Sequence, residues 1–361
     1  MVLDINNLKK KITVIGAGYM GSAITYPLTD NGFEVNLVGT WLDNEIIKSS
    51  KNGYHPKLKK PLQDKVSCYY WEDMPKAVND CDIIFIGVLS EGFVNVFKQV
   101  LDALNDNKVF FKLTKGIVTF ENQILRATQA AYKMLVKKFP KQEIYWATIG
   151  GPVKAFELSE KIPTATIYAL SENMSTKLVF SFSTDYYPVT ITGDIAGVEV
   201  SSAFKNVYSI AIGICDGLFK PTREGNYHNL NAFLFNQACL EMSKIAKAAG
   251  GIQQTVFDIA GIGDFYAASI SGRNRRYGEY VGLGEKPDKI YQKMFDEGEV
   301  AEGYKALELG IKWVESIGLN VKNDLPLLET LYNIVFKFQK PLEQINLFVR
   351  NMKKRWQGLK I

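Results

Sequence analysis

Lys205 is the residue that most needs a chemical explanation. It is the one cation in VEVSSAFKNVYSIAIGICDG (198–217), a mostly apolar run without proline that ends at Gly217. Lysine is rarely buried without a partner, because removing an ammonium group from water is costly. Stepping by four places Gly197, Ser201, Lys205, Ser209 and Gly213 near one helix face. Such a face of small residues has two readings. It packs closely against another helix while Lys205 snorkels to solvent, or it lines a cavity that Lys205 reaches into. The second reading requires an acidic partner for the amine. AGIGDFYAASISGRNRRYG (260–278) offers Asp264, which follows a glycine-rich apolar lead-in. Its GRNRR stretch supplies Arg273, whose guanidinium fork suits a phosphate, next to Asn274. Arg275 and Arg276 read as a solvated basic loop.

A second chemistry opens the chain. GAGYMG sets Gly16, Gly18 and Gly21 in the G-x-G-x-x-G pattern between the strand-like KITVI and a helical segment at 20–32. Strand, glycine turn and helix in that order form a site for a pyrophosphate, which the helix N-terminus attracts. An acidic residue about 20 positions further on would hold the ribose of NAD. Gly39, Thr40 and Trp41 stand near that point, Asp43 comes slightly later, and no arginine is present for the 2′-phosphate of NADP. The choice between NAD and NADP stays open. LTKGI (113–117) puts Lys115 and Gly116 just past an apolar strand. There Lys115 could reach a phosphate or carbonyl oxygen, although a solvated loop lysine is the simpler reading.

The elements that position these residues fall into two patterns. From 11 to 192, runs rich in β-branched and aromatic residues (11–18, 33–40, 81–88, 108–114, 143–150, 164–170 and 186–192) alternate with helical stretches at 42–51, 73–79, 91–104 and 121–139. This predicts an α/β domain with a doubly wound, Rossmann-like parallel sheet over 1–193. Beyond it the periodicity is helical only, at 195–215, 231–249, 287–297, 301–317, 325–337 and 342–355. That predicts an all-α substrate-binding domain over 194–361, with Asp194 as N-cap of its first helix and Gly250–Gly251 as a stop.

The chain has 361 residues, too many for one ordinary core, with 47% hydrophobic and 22% charged residues. A net charge of +5 is too modest for a dedicated nucleic-acid binder. The basic clusters at 57–61 and 353–360 read as solvated surface. Four scattered cysteines, at 68, 81, 215 and 239, read as reduced thiols of a cytoplasmic protein. Two histidines, His55 and His228, argue against a histidine-rich metal site, and no metal is expected. No apolar run reaches the roughly 18 residues of a membrane span, and 1–11 lack the apolar region of a signal peptide.

Taken in order, these motifs resemble the NAD(P)-dependent glycerol-3-phosphate dehydrogenase family, in its soluble bacterial and archaeal branch. The resemblance runs over roughly 11–350. It joins IGAGYMGSA, LTKGI, GGPVKAFEL (150–158), the Lys205 helix, the Asp264–Arg273 segment and AEGYKAL (301–307). It implies interconversion of dihydroxyacetone phosphate and sn-glycerol 3-phosphate, with NAD or NADP as cofactor. It implies Lys205 as proton donor, Lys115 beside the substrate and Asp264 holding Lys205. Asn206, Arg273 and Asn274 become substrate contacts. Gly16, Gly18, Tyr19, Met20, Gly21, Thr40, Val88, Arg273 and Glu302 become cofactor contacts. A homodimer and a role in glycerophospholipid metabolism are further expectations of the resemblance. The chain departs from the family pattern at Ala268, where a threonine is common four residues after the aspartate. It also departs in the long 219–233 segment and in the displaced acidic residue after the second strand. Two other readings compete: a related β-hydroxyacid or ketopantoate-type dehydrogenase, and a nucleotide-binding homologue without turnover.

Overall fold

The computed structural model describes residues 8–223 and 227–358. The N-terminal tail through residue 7, positions 224–226 of the long 219–233 segment and the last residues of the basic C-terminal cluster lie outside the described residues. The chain forms two compact units that divide between Glu199 and Val200.

The first unit is built on ten strands. They are β1 (Lys11–Ile15), β2 (Glu34–Val38), β3 (Val66–Tyr69), β4 (Ile83–Ile86), β5 (Val109–Lys112), β6 (Ile117–Phe120), β7 (Gln123–Arg126), β8 (Tyr145–Gly150), β9 (Thr166–Leu170) and β10 (Val189–Thr192). Eight of them form one sheet in the order β10-β9-β8-β5-β4-β1-β2-β3. The stretch β3-β2-β1-β4-β5-β8 is parallel throughout. This is the strand order of a doubly wound dinucleotide fold, whose ligands bind beyond the carboxyl ends of the strands where the order reverses, here between β1 and β4. β9 turns antiparallel to β8, and β10 runs parallel to β9.

Both faces of the sheet are covered, which explains the continuous apolar runs. Ile83 and Phe85 of β4, with Phe111 of β5, join a core that includes Tyr168 and Phe182. The alternate residues Ile84, Ile86 and Phe110 join an opposite core with Phe97 and Trp146. Side chains of successive strand residues point to opposite faces, so each strand serves both cores.

Two local expectations needed correction. The helix expected over 121–139 begins only at Ala127 and runs to Lys138, because 117–126 form the separate β6–β7 hairpin. Its turn residues Glu121 and Asn122 both have positive φ, 48° and 63°, as a tight hairpin with a primed turn requires. Its sequence is Glu-Asn, without the Asn-Gly or Asp-Gly signal of such a turn. The short edge strand β3 is an addition to the strands expected from the sequence. It is only partly buried, so its sequence shows no apolar run.

The second unit is helical throughout among the described residues. The long helix Ile195–Arg223 begins where Asp194 Oδ1 accepts the Gly197 N–H at 2.8 Å, the expected cap. The helix His228–Ala248 ends at Gly250, whose φ is +80°. Division of the units falls inside the long helix. Glu199 accepts hydrogen bonds from Thr128 N and Oγ1, both 2.9 Å, and pairs with Arg126 at 2.9 Å and Lys112 at 3.1 Å. Those four bonds make the first turn of the helix part of the first unit. All four cysteines are free thiols, three of them buried. No helix among the described residues is long and apolar enough to cross a membrane.

Candidate active site

The three glycines after β1 each have a separate structural reason. Gly16 has φ +103°, and a Cβ there would meet the Gly87 carbonyl oxygen at 2.7 Å. A Cβ on Gly21 would stand 2.0 Å from the Gly16 carbonyl oxygen, so only glycine lets the first helix approach the strand. Gly18 is different, since a Cβ there would meet nothing within 4 Å. Its lack of a side chain serves open space, where a backbone can approach a pyrophosphate. Tight turn, close ligand approach and close helix packing are the three roles these glycines have in a dinucleotide site, and the residues fit an NAD(P) pyrophosphate. Tyr19 is exposed beside the loop, Met20 is partly buried against the core, and Val88 lies against Gly16 after β4.

At the end of β2 the acidic residue is present but turned inward. Asp43 is 9% exposed, and its Oδ2 accepts from Thr40 N and Thr40 Oγ1, both at 2.9 Å. Thr40 therefore spends its hydroxyl proton within this turn. Lys115 follows β5, next to Gly116 with φ +135°. Three residues earlier, Lys112 is buried, donates to the Thr114 carbonyl at 2.7 Å and pairs with Glu199. Burial lowers the Lys112 pKa, and the charges of Arg126 and Lys115 push the same way against Glu199.

In the second unit Lys205 is buried, 6% exposed, and its Nζ donates to Asp264 Oδ1. Asp264 is 3% exposed and opens the helix Asp264–Ile270, directly after the π-helical turn Ile259–Gly263. The lysine does not snorkel to solvent. The packing reading of the small-residue stripe nevertheless holds one turn or two away. A Cβ on Gly213 would meet the Arg275 carbonyl oxygen at 1.9 Å, and one on Gly278 would meet the Ile210 carbonyl oxygen at 2.2 Å. The long helix and the helix Arg273–Gly282 thus touch backbone to backbone through glycines.

That contact fixes the start of the arginine helix relative to Lys205. Arg273 pairs with Glu302 at 3.2 Å, and Asn274 Oδ1 accepts the Gly303 N–H at 2.8 Å. A Cβ on Gly303 would lie 2.4 Å from the Asn206 carbonyl oxygen. Asp264, Lys205, Asn206, Asn274, Arg273 and Glu302 therefore form one connected group. Lys115 and the glycine-loop residues belong to the first unit. Arg275 and Arg276 are helical, correcting the loop reading: Arg275 pairs with buried Asp216, and Arg276 with Glu299 at 3.3 Å. Ala268 lies one turn after Asp264, and Ser269 donates its hydroxyl to the Tyr266 carbonyl at 2.8 Å.

Residues 11–176 match the family model for the N-terminus of NAD-dependent glycerol-3-phosphate dehydrogenase, and 194–346 match the model for its C-terminus. The chain belongs to the NAD-dependent glycerol-3-phosphate dehydrogenase family. Over 331 residues it is 32% identical to the NADP(+)-dependent glycerol-3-phosphate dehydrogenase of Archaeoglobus fulgidus, covering 90% of this chain and 95% of that one. A NAD(P)+ glycerol-3-phosphate dehydrogenase of Clostridium botulinum is 28% identical over 349 residues, covering 95% and 98%. The crystal structure of glycerol-3-phosphate dehydrogenase from Coxiella burnetii superposes with a TM-score of 0.81 at 23% identity, over 94% of this chain and 98% of that one, and so shares the fold. The ketopantoate-type alternative is not favoured by these matches.

Sequence reasoning missed Lys112, Glu199 and Arg126. Lys112 carried a usable signal, since it is a lone cation within the apolar run VFFKL, as Lys205 is in its helix.

Proposed function

We propose that this chain interconverts dihydroxyacetone phosphate and sn-glycerol 3-phosphate, with NAD or NADP as hydride carrier and Lys205 as proton donor and acceptor. The observation that carries the reading is the buried Lys205–Asp264 ion pair, connected to the Arg273–Asn274 helix start in a member of this family. When bound, the nicotinamide supplies or accepts the hydride at the substrate C2.

The chain's own residues do the rest. Hydride addition to the ketone leaves negative charge on the C2 oxygen. Lys205 Nζ donates a proton to that oxygen, and its charge stabilises the alkoxide as it forms. In the reverse direction the same nitrogen accepts the hydroxyl proton. Asp264 orients Nζ and compensates the buried ammonium. Arg273 and Asn274 hold the substrate phosphate, with Glu302 setting the position of the guanidinium. Asn206 adds a polar contact, and Lys115 a second cation beside the substrate. A homodimer, a cytoplasmic location and a place in glycerophospholipid metabolism accompany this reading as expectations of the family.

The test mixes purified protein with dihydroxyacetone phosphate and either NADH or NADPH and follows nicotinamide absorbance. Oxidation with at least one cofactor is expected, and the faster one identifies the preference. No oxidation with either would reject the reading.

A further inference from the structure

Two side chains outside the assigned site grip the glycine loop by its middle residue. Ala17 lies between Gly16 and Gly18 and is buried. On one side its N–H donates to Asp43 Oδ2 at 3.4 Å, the oxygen that also serves Thr40 at the end of β2. On the other side its carbonyl oxygen is 3.3 Å from His55 Nε2. His55 is fully buried, and its Nδ1 accepts the Leu58 N–H at 3.1 Å. An acceptor at Nδ1 puts the proton of the neutral ring on Nε2. That proton faces the Ala17 carbonyl and Ser22 Oγ, which lies 2.8 Å from Nε2 in the helix Tyr19–Ala23. Burial lowers the His55 pKa, which favours the neutral ring; the hydrogen bond to the Ala17 carbonyl and the charge of Asp43 oppose it, and Lys57 pushes with it. Both residues are thereby committed. Asp43 Oδ2 is taken up by Ala17 and Thr40, and both ring nitrogens of His55 are engaged within the protein.

A loop with glycine at two of three positions has unusual backbone freedom, and ordering it only when a ligand arrives weakens the affinity. We infer that Asp43 and His55 are positioning residues that pre-order the pyrophosphate loop and thereby set the affinity for the dinucleotide, NAD or NADP alike, without touching it. This rests on the reading of the loop as a dinucleotide site.

Nicotinamide fluorescence titrations with NADH and with NADPH, without substrate, test it alongside thermal unfolding. His55→Gln keeps a donor near Nε2. His55→Asn keeps an acceptor near Nδ1 but cannot reach Ala17, and His55→Ala keeps neither. His55→Asn and His55→Ala should each raise both dissociation constants about tenfold, the scale of one lost hydrogen bond, while His55→Gln restores most of the affinity. Unchanged affinity in His55→Ala overturns the inference. So does rescue by His55→Asn instead of His55→Gln, which would assign His55 to the turn at Leu58 alone. If the histidine variants unfold, Asp43→Ala reads the other side of the clamp, and wild-type affinity in that folded variant overturns it equally. A wild type that binds neither cofactor overturns the dinucleotide reading itself.

Discussion

A lysine in an apolar run must be paired, and this chain shows two such lysines in different settings. Lys112 is tied to Glu199 and to the Thr114 carbonyl, so its donors are used in holding the structure. Lys205 is paired with Asp264 and sits next to Asn206, whose carbonyl packs against Gly303. Replacing Lys205 alone would break a buried ion pair by removing one of its members, a change that costs about 3–5 kcal/mol in stability. The informative variant is therefore Lys205→Met with Asp264→Asn, which removes both charges. It should fold and still lose kcat by about 10²–10⁴, equivalent to roughly 3–5 kcal/mol in the barrier. Steady-state kinetics on the folded double variant decide the point. A loss under about tenfold would make the pair structural.

At the scale of elements, the glycine contact between the long helix and the arginine helix makes a sharp prediction. Helix propensity favours Gly213→Ala by about 1 kcal/mol. Against that, the new methyl would lie 1.9 Å from the Arg275 carbonyl oxygen, backbone that cannot step aside without moving the helix. Overpacking of this kind costs about 1–3 kcal/mol, so Gly213→Ala should be net destabilising in denaturant unfolding. It should also raise KM for the phosphorylated substrate, because Arg273 and Asn274 begin the displaced helix. A stabilised variant with unchanged KM would contradict this geometry. The β6–β7 hairpin teaches the opposite lesson: a turn of Glu121 and Asn122 carries too weak a local signal to interrupt an apparent helix.

For the whole molecule, two buried carboxylates respond to pH in opposite senses. Burial pushes Glu199 up, but Lys112 and Arg126 outweigh it and leave its pKa below the ordinary value. Its contribution is present above the unfolded pKa and is lost as pH falls. Glu241 is pushed up by burial to about 7, against hydrogen bonds from Gln237, Tyr208 and the Leu327 and Leu328 N–H groups. For Glu241 the folded state holds the proton more tightly than the unfolded state. Stability therefore falls as pH rises from about 4.5 to about 7 and is flat above, by about 3 kcal/mol in all. Denaturant unfolding across that range should show wild type losing this amount relative to Glu241→Gln, and parallel profiles would show that the four donors keep Glu241 ionised. The division of labour between sequence and fold follows from distance along the chain. The glycine loop, the Asp194 cap and the strand and helix periods were legible because each depends on residues a few positions apart. Lys205 was legible as an anomaly, and Asp264 as a plausible answer to it. The pairing itself joins residues 59 apart, Arg126 meets Glu199 across 73, and His55 meets Ala17 across 38. Hydrogen bonds and ion pairs act over about 3 Å of space, so only the order of the strands and the crossing of the helices could decide which of the many candidate partners would meet.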